Sequence, residues 1–181
     1  YLLAESGLPG PRGNLELAHV VADLGDRSLF ERYLTFTPHI APVNSPYEFL
    51  AFCGVVGLGR LLAEGDDTLL ATLRAFASDP RWRLREAVAM ALQRLGDADM
   101  PRLLSAMQEW STGTPFEQRA AAAALCEPRL LTEPDHARAV LAILDTITAS
   151  IPARKDRRDE GFLAFRKGIG YCWSVAVAAL P

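Results

Sequence analysis

The residues of this 181-residue chain best suited to chemistry stand one helical turn apart, at Trp82 and Glu86, with Asp79 just ahead of them. An indole face and a nearby carboxylate together attract a cationic ring, and Trp82 with Glu86 has that arrangement. The simpler account has Asp79 turning the chain at Asp79-Pro80 while Trp82 packs at a junction between repeats. Around this pair, Arg83, Arg85, Arg94 and Arg119 could fork their guanidinium groups onto phosphates. Equally, Arg85 and Arg119 could pair with acids such as Asp97, Asp99 or Glu117, or stay solvated.

A second group lies near the end of the chain. Between Ile151 and Lys167, the basic residues Arg154, Lys155, Arg157, Arg158, Arg166 and Lys167 outnumber Asp156, Asp159 and Glu160. The segment carries +3, which leaves −6 for the remainder of a chain whose net charge is −3. A basic loop of this kind suits a phosphate backbone or an acidic partner, or it is simply solvated. The overall acidity gives no global attraction to nucleic acid or to an anionic membrane, so either partner needs such a local patch.

Other chemistry is sparse. His19, His39 and His136 are scattered without metal-ligand spacing, and no cofactor or metal is expected. Cys53, Cys126 and Cys172 are few, far apart and set among apolar neighbours, as buried thiols in a reducing cytoplasm would be. The phosphate-loop, nucleophile-elbow, zinc-protease and CxxC patterns are all missing from the sequence. The run Gly54-Val55-Val56-Gly57-Leu58-Gly59 falls inside an apolar helical stretch, where its glycines serve packing and not phosphate binding. Arg60 follows the longest apolar run, Phe49 to Leu58, too soon for a membrane span.

The elements that must position these residues read as helices throughout. Asn14 caps a helix to about Leu24, and a short one follows near Arg27 to Thr35. Ser45-Pro46-Tyr47-Glu48 is a capping-box start for a helix to Glu64, stopped by Gly65. Asp66 or Asp67 opens the next, which Asp79-Pro80 breaks. A helix from Arg81 to Leu95 ends at Gly96, and a partner from Asp99 to Trp110 carries Met100, Leu103, Leu104, Met107 and Trp110 on one stripe. Further helices open at Pro115, near Pro134 and at about Phe162, with Trp110 and Trp173 expected in the core. First helices of successive pairs start near 46, 81, 115 and 162, in steps of 35, 34 and 47 residues. The period and the two amphipathic helices per unit mark an all-α, right-handed α-solenoid, an alpha-alpha superhelix of helix pairs.

The Trp82-Arg83-Leu84-Arg85-Glu86-Ala87-Val88 segment resembles the first helix of HEAT-like repeats. Three stretches together resemble the AlkD-type DNA alkylation repair family: Leu8 to Leu17 (LPGPRGNLEL), Trp82 to Leu92, and Phe165 to Val175 (FRKGIGYCWSV). That resemblance implies a stack whose concave surface cups duplex DNA and, in enzyme members, tryptophans and a carboxylate acting as a glycosylase on a cationic alkylated base. The whole chain, 1–181, is expected to be one HEAT-like repeat domain, incomplete at both ends. The expected function is a non-catalytic binding scaffold for a protein partner, with a duplex-DNA-binding relative of the repair family as the alternative. The final helix, apolar and without a following partner, also suggests self-association.

Overall fold

The computed structural model describes residues 1–180, and among them it contains nine α-helices, one short 3-10 turn and no strand. The chain is therefore all-α. Its packing divides it into two compact units, Tyr1–Arg94 and the part from Leu95 onward, with the division falling inside one helix.

The first unit is built around a single buried helix. Its elements are α1 (Leu15–Leu24), α2 (Arg27–Leu34), α3 (Pro46–Ala63), α4 (Leu69–Phe76) and most of α5 (Trp82–Ala98). Helices α1, α2 and α4 all pack on α3. Every residue from Glu48 to Gly59 is buried, which is why this helix shows apolar side chains all round instead of a stripe. By length and composition α3 could cross a membrane, Arg60 notwithstanding; here, 72% of its apolar window is buried inside the fold. Two glycines let neighbours approach it. A Cβ on Gly57 would enter the ring of the fully buried Phe30, and one on Gly59 would strike the Ala91 backbone of α5.

Helix starts in this unit follow their caps. The side chains of Asn14, Asp26 and Ser45 accept from the backbone N–H groups of Leu17, Leu29 and Glu48. The Glu48 carboxylate reaches back one residue beyond the cap, to the N–H of Asn44 at 2.7 Å. Asn44 itself is left-handed, at φ 68°. Gly65 follows the end of α3 at φ 114°, as a stop signal requires. Neither Asp66 nor Asp67 caps α4: the N-cap is Thr68, which makes no side-chain cap bond, and Asp66 instead accepts from the Thr68 backbone and hydroxyl in the turn before it.

The second unit contains the rest of α5, then α6 (Met100–Trp110), α7 (Pro115–Leu125), the 3-10 turn Pro128–Leu130, α8 (Pro134–Ala149) and α9 (Glu160–Ala178). Helices α7 and α9 share its most extensive contact, and α8 also packs on α9. Ala122 and Ala123 of α7 lie beside Phe165, Gly168 and Ile169 of α9, and such small residues allow the axes to approach closely. Thr114 and Glu117 form a complete capping box at the start of α7. Gly96 does not end α5. The helix runs on to Ala98, because a Cβ-free surface at 96 is what Leu103 and Leu130 pack against, and Asp99 then caps α6. Trp110 is buried as its stripe implies, whereas Trp173 is half-buried and donates its Nε1–H to Thr148 Oγ1 at 3.0 Å.

Candidate functional site

Within the first unit lies an apolar cavity of about 260 Å³, and its walls come from three places in the sequence. Leu8, Pro11 and Leu15 supply one side, Phe49 and Phe52 of α3 the floor, and Trp82, Glu86 and Met90 of α5 the other side. The last three are spaced i, i+4, i+8 and so share one helical face. Trp82 is 44% exposed although it is large and apolar, and Glu86 is half-buried beside it. The cavity is close to the lower end of ligand-site volumes, large enough for a single ring or side chain.

Beneath Trp82 the arginines are locked. Arg81, 2% exposed, forms a two-pronged pair with Asp79 (Nε to Oδ1 2.9 Å, Nη2 to Oδ2 2.8 Å) and also donates to the Phe36 and Ala41 carbonyls. Arg83 is buried against Glu48 (3.2 Å) and donates to Gly10 O (2.6 Å) and Asn44 Oδ1 (3.2 Å). Arg85 donates to the Asp79 carbonyl at 2.7 Å and to that of Pro80 at 3.3 Å. Burying a guanidinium is tolerable only when its donors meet acceptors in this way. The network ties the Leu8 to Asn14 loop, the Asn44 turn and the start of α5 into one frame around the cavity. Arg83 also lies over the Trp82 ring, 4.4 Å from its centroid, and fixes the indole by a cation–π contact. Two buried atoms of this frame, Glu48 Oε1 and Arg83 Nε, have no hydrogen-bond partner among the described residues.

Comparison of the chain with protein-family models, curated proteins and solved structures returns no match. The site must be read from its own geometry.

Of the residues singled out from sequence, Trp82, Arg83 and Glu86 thus meet at the cavity, while Arg85 serves the turn behind it. Asp79 is more than a turn residue, being the counter-ion of Arg81. Arg94 reaches back to Asp23 at 2.6 Å and to His19 at 2.9 Å. In the second unit, Arg119 is half-buried at a small cleft lined also by Phe165 and Cys172. The acids named with Arg85 and Arg119 each make a local contact of their own. Asp97 pairs with Arg129, Asp99 caps α6 and Glu117 closes the α7 capping box.

The basic segment divides by role. Arg154 is half-buried and anchors the loop to Gln118, a buried side chain that in turn donates to Ser111 O at 2.7 Å. Arg157 donates to the Ile151 and Pro152 carbonyls (3.3 and 3.5 Å). Lys155, Arg157, Arg158, Arg166 and Lys167 are all exposed.

The cysteines are buried free thiols. Burial pushes the Cys53 thiol up to about 12. A hydrogen bond with Cys172, followed by burial, raises Cys126 further. Neither is a ready nucleophile, since the thiolate is the reactive form. Among the described residues no cluster of three or more His, Cys, Asp or Glu side chains could hold a metal ion.

Sequence reading missed the cavity itself and the parts played by Glu48 and Asn44. A signal was present for Glu48: it lies three residues after the Ser45 cap on a helix with no polar face, so its carboxylate had to be buried.

Proposed function

We propose that the chain is a non-catalytic binding scaffold of HEAT-like helix pairs, and that it holds its partner by an apolar or aromatic group seated in the cavity beside Trp82. The single observation that carries this reading is the cavity: apolar walls, one half-exposed tryptophan at its edge, and a frame held rigid by buried arginine pairs. Aromatic anchors entering preformed pockets supply most of the binding energy at protein interfaces. The repeat reading is supported within the second unit, where α7 and α9, the first helices of successive pairs by sequence spacing, pack on each other as neighbouring repeats do.

One observation favours a second reading, a DNA-binding relative of the alkylation-repair family. Two of the three stretches that resemble that family, Leu8 to Leu17 and Trp82 to Leu92, contribute walls of the same cavity, and Trp82 and Glu86 are among them. A cationic alkylated base would then face an indole and a carboxylate. Against it, Arg83 and Arg85 are buried in internal contacts and do not present guanidinium groups to phosphates.

Calorimetric titration with indole and with N-methylquinolinium, a neutral and a cationic ring, tests the scaffold reading. Both should bind wild type, Trp82→Ala should weaken both by roughly tenfold, and Glu86→Gln should weaken only the cation. If neither ring binds, the cavity is not a recognition site. Titration of labelled duplex DNA at rising salt, with a base-release assay on alkylated duplex, separates the second reading. Salt-steep binding with release of alkylated base that Glu86→Gln abolishes would replace the scaffold by a glycosylase.

A further inference from the structure

We propose that the exposed face of α9, together with the loop before it, docks an acidic amphipathic segment of a protein partner. This surface lies in the second unit and does not depend on the Trp82 cavity.

The first ground is charge left without counter-charge. Elsewhere many arginines pair with a carboxylate within the fold: Arg12 with Glu16, Arg27 with Asp66, Arg60 with Glu64, Arg81 with Asp79, Arg94 with Asp23, Arg129 with Asp97. Lys155, Arg157, Arg158, Arg166 and Lys167 are exposed, and none meets a carboxylate among the described residues. Two acids of this segment are used locally, since Asp156 accepts from the Arg158 backbone and Asp159 caps α9. Arg157 meets only the Ile151 and Pro152 carbonyls, so the clustered cations keep their charge and set up a local positive potential in a chain of net charge −3.

The second ground is apolar surface continuous with that charge. Leu163, Tyr171 and Val177 are exposed at 39%, 70% and 54%, and they recur at helical spacing with Arg166 and Lys167. Gly170, Ser174 and Ala178 lie along the same stripe and are also exposed, so a partner backbone can come close. Toward its C-terminal end the stripe opens into a groove of about 390 Å³ lined by Pro128, Leu131, Val175 and Ala179. From Leu163 to Ala178 it extends about 22 Å at the helical rise, some four turns. One end is basic and the other apolar.

That polarity selects the occupant. Carboxylates of the partner meet the basic loop and the first turns of α9, and its apolar anchors fill the groove. A phosphate backbone would use the cations but would leave the groove and Tyr171 to water. A second copy paired about a two-fold axis sets the cations against the apolar end when the helices run antiparallel and against one another when they run parallel, so its stripe supplies no counter-charge in either case.

The test uses fluorescence anisotropy of labelled helical peptides as long as the stripe, carrying glutamates toward one end and leucine and phenylalanine toward the other, in both orders. Controls are polyglutamate of equal charge and a labelled DNA duplex. One order of the amphipathic peptide should bind at least roughly tenfold tighter than polyglutamate, and weaken with salt. The charge reversal Arg158→Glu with Lys167→Glu should remove that binding. Tyr171→Ser with Val177→Ser should reduce it to the polyglutamate level. All four residues are exposed, so these variants should keep the wild-type circular dichroism and melting curve. Failure of both peptide orders to exceed polyglutamate overturns the proposal. So does tighter binding of the duplex with the same dependence on Arg158 and Lys167, or a dimer in sedimentation that Val177→Ser dissolves.

Discussion

Arginine does opposite work in the two units. In the first, Arg81 and Arg83 are among the most buried side chains, and their charge is spent on Asp79, Glu48 and a set of loop carbonyls. Near the start of α9, the exposed Arg158 and Arg166 have no carboxylate to meet among the described residues. The residue type and local sequence density are alike, so basic clustering alone does not identify a binding surface. What distinguishes the cases is whether acids and free carbonyls lie within reach once the chain has folded. A buried guanidinium organises backbone, and an exposed unpaired one is available to a partner.

The comparison breaks if the buried pairs prove as dispensable as exposed charges. Asp79→Ala strands the Arg81 guanidinium, 2% exposed, without its two-pronged acceptor. Loss of about 3–5 kcal/mol is expected, read as a lowered urea midpoint, since one member of a buried pair is removed and the other stays. Glu48→Gln should cost less, about 1–3 kcal/mol, because an amide can still accept from Asn44 N–H and Arg83 while the charge is gone. A smaller cost for Asp79→Ala than for Glu48→Gln would mean that the loop carbonyls, and not the carboxylate, hold Arg81.

Much of the fold was legible because helix punctuation is local. Asn14, Ser45-Pro46, Gly65, Asp99 and Pro115 mark ends by hydrogen bonds or backbone angles within a few residues, and the helices start or stop beside them. Gly96 misled because the same residue type that ends a helix also permits close packing, and only Leu103 and Leu130 decide which. The site was half legible. Trp82 and Glu86 share a helical face by spacing alone, but Leu8, Phe49 and Phe52 join them through contacts between distant segments that no local pattern encodes. The fate of Arg83 was hidden for the same reason, since its partners Gly10, Asn44 and Glu48 are remote in sequence.

At the exposed end of the comparison the expected effects on stability are small. Arg158→Glu and Lys167→Glu should each change the unfolding free energy by less than about 0.5 kcal/mol, because both side chains are exposed and neither meets a carboxylate among the described residues. A larger loss would show that the loop is held by these charges and would move them to the structural side of the contrast.

Asp66 supplies the finest test, since it is paired yet lies at the surface. Hydrogen bonds from Thr68 and then from Arg27 hold its carboxyl below the ordinary value of 3.8. A carboxyl whose folded value is depressed lends stability above its unfolded value and loses it as pH falls through the folded one. The difference in melting temperature between wild type and Asp66→Asn should therefore be constant from neutrality down to about pH 4 and shrink below it. It should also shrink in high salt, whereas the Asp79→Ala difference, arising from a desolvated pair, should persist. A gap that widened in acid would mean that the carboxyl is held protonated by its surroundings, the reverse of what Thr68 and Arg27 impose.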